Sequence, residues 1–130
     1  MNPIQDSMIR IKNSYNSKRL HVEIQKSQKL LRLMEILRKY GYIKGFQTRE
    51  RTIKVLLKYS QDYPVIKQIK LYSPLDVNTV VSYKQLKSIL KSKESFAGLS
   101  LTLVSTSFGI LTDLECLERK IGGHLILTVL

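Results

Sequence analysis

Two segments in the first third of the chain carry apolar residues at the spacing of an amphipathic helix. The first predicts a helix over residues 3–15, because Asn2 and Pro3 are start signals and apolar residues recur every three or four positions after them. The second predicts a helix over residues 29–40, which Gly41 ends. We interpret the apolar stripe of the second helix as a core face, made of Leu30, Leu33, Met34 and Leu37.

Short apolar runs predict strands around these helices. A short strand is expected at residues 22–24, and residues 43–46 and 52–59 predict a hairpin, the second run of which alternates apolar with mostly polar side chains. Residues 60–64 are polar and include a proline, which makes them the best candidate for a boundary. We therefore predict an N-terminal α-β-α-β-β domain over residues 1–62.

The second half of the pattern is mainly strand. Thr112 and Glu115 form a capping box, T-x-x-E, ahead of a helix that Gly122 and Gly123 end. A lysine-rich stretch at 83–95 predicts a short helix or 3₁₀ turn. The predicted strands lie at residues 65–72, 79–83, 99–104 and 124–129, and Pro74, Asp76 and Asn78 supply turn residues between the first two. The whole chain is thus predicted to be an α+β sandwich of two parts, with a β-rich domain over residues 63–130.

The net charge of the chain limits its possible functions more than the pattern of apolar and polar residues does. Lys and Arg total 22 against 10 Asp and Glu, a formal charge of +12, which favours an anionic partner. Nucleic acid is the first candidate and an anionic membrane the second, but no run approaches the roughly 18 apolar residues of a spanning helix. Cys116 is the single cysteine, so an intramolecular disulfide is excluded.

Catalytic and metal-binding signatures are missing from the sequence. It contains no GxxxxGK[ST], GxGxxG, HExxH or CxxC motif, and His21, His124 and Cys116 are too scattered for a metal site. Ser107, His124 and Asp113 make a triad on paper, but the Gly-x-Ser-x-Gly elbow is absent. We expect no enzymatic activity, no cofactor and no small-molecule substrate.

The segment that stands out is Ser105-Thr106-Ser107-Phe108-Gly109, directly after a predicted strand. Hydroxyls are short donors and acceptors that can reach phosphate oxygens, 2′-hydroxyls or base edges. The alternative is an ordinary turn whose hydroxyls bond their own backbone, and the residues alone favour that alternative.

The same segment carries a resemblance to a known family. Residues 103–113, LVSTSFGILTD, followed by Ile121-Gly122-Gly123, resemble the C-terminal signature of the eighth protein family of the small ribosomal subunit. The N-terminus is similar as well, in P-I-x-D at residues 3–6 and R-I-K-N at residues 10–13. The resemblance covers nearly the whole chain.

The resemblance implies a structural protein of the small subunit, with its two domains packed together. It implies direct binding to the central domain of small-subunit rRNA, help in assembling and stabilising that domain, and contacts with neighbouring ribosomal proteins. The rRNA-binding residues expected on this basis are Ser105, Thr106, Ser107, Gly109, Tyr83, Lys84, His124, Arg10, Lys12 and Asn13. A half-buried strand end is the alternative for Tyr83, and a solvated helix face is the alternative for the three N-terminal residues.

Two residues depart from the family pattern. Phe108 stands where the family commonly has lysine, and His124 stands where it commonly has glutamate, so the charge around the hydroxyls differs here. A nucleic-acid-binding module outside the ribosome and an enzyme acting on an anionic substrate are the competing functions. An AT-type residue bias, with heavy use of Lys and Ile, favours an organelle, the mitochondrion ahead of the plastid, with the bacterial cytoplasm as the alternative.

Overall fold

The chain is described by a computed structural model over residues 3–72, 79–93 and 100–130. It divides into two compact units, Met1–Lys67 and Gln68–Leu130. Both units combine helices with antiparallel strands, and the second is the richer in strand, so the predicted α+β class is confirmed. The predicted domain boundary between residues 62 and 63 stays a prediction.

The N-terminal unit builds a three-stranded antiparallel sheet in the order β1-β3-β2. Val55 of the central strand pairs with Val22 on one side and with Phe46 on the other. A second, two-stranded sheet pairs β4 with β5. The elements are α1 (Pro3–Asn16), β1 (His21–Gln25), α2 (Gln28–Lys39), β2 (Gly45–Thr48), β3 (Thr52–Leu56), β4 (Tyr59–Ser60) and β5 (Tyr63–Pro64).

Both predicted helices of this unit form, and their apolar stripes are buried. The α2 helix starts one residue earlier than predicted, because the Ser27 hydroxyl accepts the Leu30 N–H at 3.2 Å and caps the first turn. The stripe residues all lie in the core: Ile4, Met8, Ile11, Tyr15, Leu30, Leu33, Met34 and Leu37.

The predicted strand at residues 43–46 is displaced to Gly45–Thr48. The cause is the end of α2, where Gly41 has a positive φ of 80° and donates to Arg38, while Tyr42 donates back to Leu37 at 2.8 Å. These bonds form a Schellman motif, which turns the chain so that Ile43 is buried at the helix exit instead of in the sheet.

The C-terminal unit centres on β10, which pairs with β6 and β7 and with β8, while β8 also pairs with β9. Its two helices pack on the core formed by Val81, Leu86, Val104, Leu111, Cys116 and Leu125. The elements are β6 (Ile69–Leu71), β7 (Val80–Val81), α3 (Tyr83–Lys93), β8 (Leu101–Thr106), β9 (Gly109–Thr112), α4 (Asp113–Arg119) and β10 (Gly123–Val129).

Two predicted strands in this unit were too long, and one strand was not predicted. The strand expected at 65–72 is limited to Ile69–Leu71, and the strand expected at 79–83 is limited to Val80–Val81. The second is cut short because Ser82 and Gln85 bond each other's backbone N–H and start α3 at Tyr83. β9 was not predicted, whereas the capping box of Thr112 that follows it is confirmed.

Some expectations fall outside the described residues, namely the start signal Asn2, the turn residues Pro74, Asp76 and Asn78, and the strand residue Leu99. Within the described ranges, no helix combines the length and the apolar character needed to cross a membrane.

Tyr15 connects three segments of the N-terminal unit. Its hydroxyl donates to the Tyr42 carbonyl at 2.8 Å and accepts the Lys58 N–H at 3.1 Å, and the ring meets Tyr59 edge-on. Burial raises the pKa of Tyr15 to about 12, against the lowering effect of the Lys58 N–H, because the phenolate would lose its hydration. Folding is therefore favoured with the hydroxyl protonated.

Replacing Tyr15 by Phe should lower the free energy of unfolding by about 1–3 kcal/mol, because a carbonyl and an N–H lose their partner. The wild type should also lose on the order of 2 kcal/mol as pH rises from the ordinary tyrosine pKa of about 10 toward 12, and the variant should lack that part of the pH dependence. Urea unfolding at pH 8 measures the first effect, and unfolding at pH 11, midway through that range, should show about half of the second. Tyr63→Phe is the matched control, since Tyr63 is 75% exposed and should give neither.

Candidate nucleic-acid interface

Three strand ends meet at one end of the C-terminal sheet. β10 runs antiparallel to both β7 and β8, so its start lies beside their ends. His124 is the shared partner, opposite Val80 on one side and Ser105 on the other. Tyr83 follows β7 by two residues, so this end of the sheet brings together most of the C-terminal residues predicted to bind rRNA. We call it the sheet end.

The hydroxyl residues at the sheet end are placed differently from the prediction. β8 continues through Thr106, which pairs with Gly109 at the start of β9, so Ser107 and Phe108 alone form the turn. Ser105 and Thr106 thus belong to the strand, because the ladder of backbone hydrogen bonds to β9 extends over them. Gly109 has a φ of 94°, a conformation that a side chain at this position would strain.

The Thr106 hydroxyl bonds within the turn. It donates to the Gly109 carbonyl at 2.8 Å and accepts the Phe108 N–H at 3.1 Å. This is the geometry of the ordinary-turn alternative, in which the hydroxyl bonds its own backbone and its single proton is in use, while the predicted contact of Thr106 with RNA stays a prediction. Ser105 and Ser107 are exposed on either side of it. The exposed Ser105 in β8 and Ser107 in the turn thus stand on a backbone that the Thr106 hydroxyl stiffens.

The glycine pair lets the three strand ends approach closely. A Cβ at Gly123 would overlap the carbonyl oxygen of Ser105, and a Cβ at Gly122 would overlap the carbonyl of Val81. Both positions thus exclude a side chain for a reason of space, and Gly123 directly sets the position of Ser105.

His124 bonds inward with both ring nitrogens. Nδ1 lies 3.0 Å from the Leu125 carbonyl, which can only accept, so Nδ1 is the donor there. Nε2 lies 3.0 Å from the Thr79 hydroxyl, which can then donate to it. This geometry supports a positioning role for His124 at the start of β10. Its predicted contact with RNA stays a prediction.

Tyr83 and Lys84 are the first two residues of α3. Tyr83 is half-buried and Lys84 is exposed. The reciprocal bonds between Ser82 and Gln85, at 2.8 and 3.3 Å, fix the start of the helix and hence the backbone that carries both side chains.

Sequence reasoning missed one residue of the sheet end, Arg119. Its guanidinium carbon lies 5.3 Å from the centroid of the Phe108 ring, within the range of a cation–π contact. No spacing in the sequence marks this contact, because Phe108 lies in the turn and Arg119 at the end of α4, eleven positions later. Phe108, which departs from the family pattern, thus places its aromatic ring beneath the Arg119 guanidinium.

The three N-terminal residues of the predicted site lie on α1. Arg10 and Asn13 line a shallow groove with Asp6, Ser17 and Arg19 among others. Lys12 is exposed and does not line this groove. Arg10 also donates to the Glu23 carbonyl at 3.2 Å. The structure therefore brings two of the three residues together.

The described residues assemble neither of the catalytic or metal sites that we considered. No group of three or more His, Cys, Asp or Glu side chains among them is placed to hold a metal ion. Ser107, His124 and Asp113 do not form a triad, since the His124 nitrogens bond Thr79 and Leu125 and the Asp113 carboxylate accepts the Leu114 N–H.

Comparisons with known proteins find the same family along nearly the whole chain. The family model described as Ribosomal protein S8 matches residues 2–130. Small ribosomal subunit protein uS8m of Acanthamoeba castellanii is 35% identical over 120 residues, covering 92% of this chain and 91% of that protein. Small ribosomal subunit protein uS8 of Mycoplasmopsis pulmonis is 34% identical over 128 residues, covering 95% and 92%. The uS8 protein of Anaeromyxobacter sp. strain Fw109-5 is 34% identical over 132 aligned positions, covering 98% and 96%.

Gly123→Ala should destabilise the protein by about 1–3 kcal/mol, because the added methyl group forces the Ser105 carbonyl and β10 apart. Chemical unfolding followed by circular dichroism measures the loss. Gly45→Ala is the matched control, since a Cβ there meets nothing within 4 Å. Equal stability of the two variants would contradict the close approach at Gly123.

Thr106→Val should loosen the turn while leaving the sheet intact, because it removes both hydroxyl bonds and keeps the side-chain shape. We expect the Phe108 amide to lose about 1 kcal/mol of protection in hydrogen exchange. Thr106→Ser keeps the hydroxyl and should preserve the protection. An unchanged exchange rate in Thr106→Val would show that the hydroxyl does not hold the turn.

Proposed function

The chain belongs to the ribosomal protein S8 family, a family of structural constituents of the small ribosomal subunit rather than of enzymes, and we propose that it binds small-subunit rRNA directly through the sheet end. The observation that carries this proposal is the pair of exposed serines, Ser105 in β8 and Ser107 in the turn, on a backbone that Thr106 stiffens. A backbone that is already fixed loses little conformational freedom on binding.

The hydroxyls suit an irregular RNA surface. The major groove of a regular A-form helix is too narrow for side chains to read, so proteins recognise RNA at bulges, loops and 2′-hydroxyls. Ser105 and Ser107 can donate to such acceptors, whereas Thr106 would first have to release Gly109. We assign contact to the two serines and positioning to Thr106, Gly109 and His124.

Tyr83 and Lys84 extend the proposed surface. Both follow β7, whose end lies beside the start of β10. An exposed Lys84 suits a phosphate, and the exposed part of Tyr83 suits a ribose or a base.

The basic charge is divided unevenly between the two units. Residues 1–67 hold 15 Lys and Arg against 5 Asp and Glu, whereas residues 68–130 hold 7 against 5. Phosphate neutralisation supplies most of the salt-dependent affinity for RNA. We therefore assign most of that affinity to the N-terminal unit, including Arg10 and Lys12, with the neutral Asn13 as a hydrogen-bonding contact beside them. The sheet end is assigned the register of the protein on the RNA.

The place of binding follows from the family resemblance. We propose that the chain binds the central domain of small-subunit rRNA, helps to assemble and stabilise it, and contacts neighbouring small-subunit proteins. For the compartment we propose an organelle, the mitochondrion ahead of the plastid. The relative from Acanthamoeba castellanii, named uS8m, supports this choice, while the bacterial relatives keep the bacterial cytoplasm as the alternative.

The double variant Ser105→Ala, Ser107→Ala should weaken binding to a central-domain transcript by on the order of 1–3 kcal/mol, since two polar contacts are lost. Filter-binding titrations at fixed salt measure the change. Ser60→Ala removes an exposed hydroxyl from the N-terminal unit and serves as the control. Equal affinity of the double variant and the wild type would remove the serines from the interface, and failure of the wild type to prefer this transcript over unrelated RNA would contradict the proposed binding.

A further inference from the structure

Phe108 and Arg119 form a pair that the proposed hydroxyl contacts do not use. The Phe108 ring is 64% exposed, and the Arg119 guanidinium lies 5.3 Å from its centroid. We propose that this pair binds one unpaired nucleotide of the RNA, with its base stacked on the ring and its phosphate bound by the guanidinium. The inference rests on the proposed function, because it requires RNA at the sheet end.

The ring is held outward by the turn. The Phe108 N–H donates to the Thr106 hydroxyl, which in turn donates to Gly109. An exposed aromatic residue normally costs stability when it stays in water, and here the backbone beneath it is fixed in that position. A rigid aromatic platform loses little freedom when a base stacks on it, and every base has a face that can stack.

The guanidinium is held over the ring by α4. The capping box of Thr112 and Glu115 fixes the start of this helix, and Lys120 closes its end in a left-handed conformation with φ of 57°. Arg119 occupies the last turn, directly before that closure. A guanidinium that stacks on a ring keeps its N–H edge free for the oxygens of a phosphate.

The Arg119 charge is available to an outside anion. Among the residues that the structure describes, the guanidinium of Arg119 has the Phe108 ring as its contact. Residues 68–130 hold seven basic and five acidic residues, and α4 itself carries Asp113, Glu115 and Glu118, so Arg119 is the cation that this helix offers to a phosphate.

An unpaired nucleotide matches both members of the pair at once. It presents a π-face and a phosphate a few ångströms apart, and two exposed serines precede the ring, Ser105 in β8 and Ser107 in the turn. A protein surface would also accept an aromatic residue and an arginine, which are common in interfaces. The adjacent hydroxyls, which suit ribose and phosphate oxygens, favour RNA.

The test is a set of binding titrations of the full chain against a central-domain rRNA transcript at several salt concentrations. Phe108→Ala should weaken binding about tenfold, and Phe108→Tyr should restore it, because a stacking surface is what counts. Arg119→Ala should weaken binding and lower the slope of log K against log salt by about one. Arg119→Lys should recover the slope but not the full affinity, since it lacks the planar group.

The two residues should also act together. Because the ring positions the guanidinium, Phe108→Ala with Arg119→Ala should lose less than the product of the single losses. Leu114→Ala is the matched control, since Leu114 is an apolar residue of α4 with 56% exposure and should bind as the wild type does. Circular dichroism melting of each variant checks that the fold is kept.

The contrary outcomes are separable. Wild-type affinity in both Phe108→Ala and Arg119→Ala, while the wild type binds the transcript, overturns this inference and leaves the proposed function intact. Wild-type RNA affinity combined with loss of the variants from assembled small subunits would assign the pair to a protein neighbour and overturn the inference. A wild-type chain that does not bind the transcript contradicts the proposed function and this inference together.

Discussion

The close approach of three strands at Gly122 and Gly123 is the constraint on which the C-terminal unit depends. A side chain at either position would overlap a carbonyl of β7 or β8. With hydrogen as the side chain, the start of β10 fits between these two strands and pairs with both. The residues that follow β7, that end β8 and that begin β10 therefore meet at one end of the sheet. The proposed RNA contacts are consequences of this packing.

The hydroxyl groups at the sheet end have two roles: one stabilises the turn, and the others are proposed to contact RNA. The Thr106 hydroxyl donates within the turn, whereas Ser105 and Ser107 are exposed on the backbone that it stiffens. Three neighbouring residues with similar side chains thus have two different roles. The position of each residue along β8 and the turn determines which role it has. The same logic applies to His124, whose ring nitrogens bond Thr79 and Leu125 inside the fold.

The sequence predicted the helices and the core stripe of α2 because helical periodicity is a local property that burial then reinforces. Prediction from the sequence failed where tertiary contacts determine the local structure. β9 is short, and all but its first residue are buried, so it shows no alternation of apolar and polar side chains. The strand at 79–83 was overextended because the reciprocal bonds of Ser82 and Gln85 compete with the strand. The Phe108–Arg119 contact joins residues that are eleven positions apart, and no local pattern marks such a pair.

The Tyr15 bridge has a consequence for the kinetics of the N-terminal unit. Its two hydrogen bonds join residues that are 27 and 43 positions apart along the chain. Contacts that close such long loops carry a large entropic cost early in folding and so tend to form after the transition state. Interactions that form late act mainly on the rate of unfolding. We expect the Tyr15 hydroxyl to set how long the folded unit persists rather than how fast it forms.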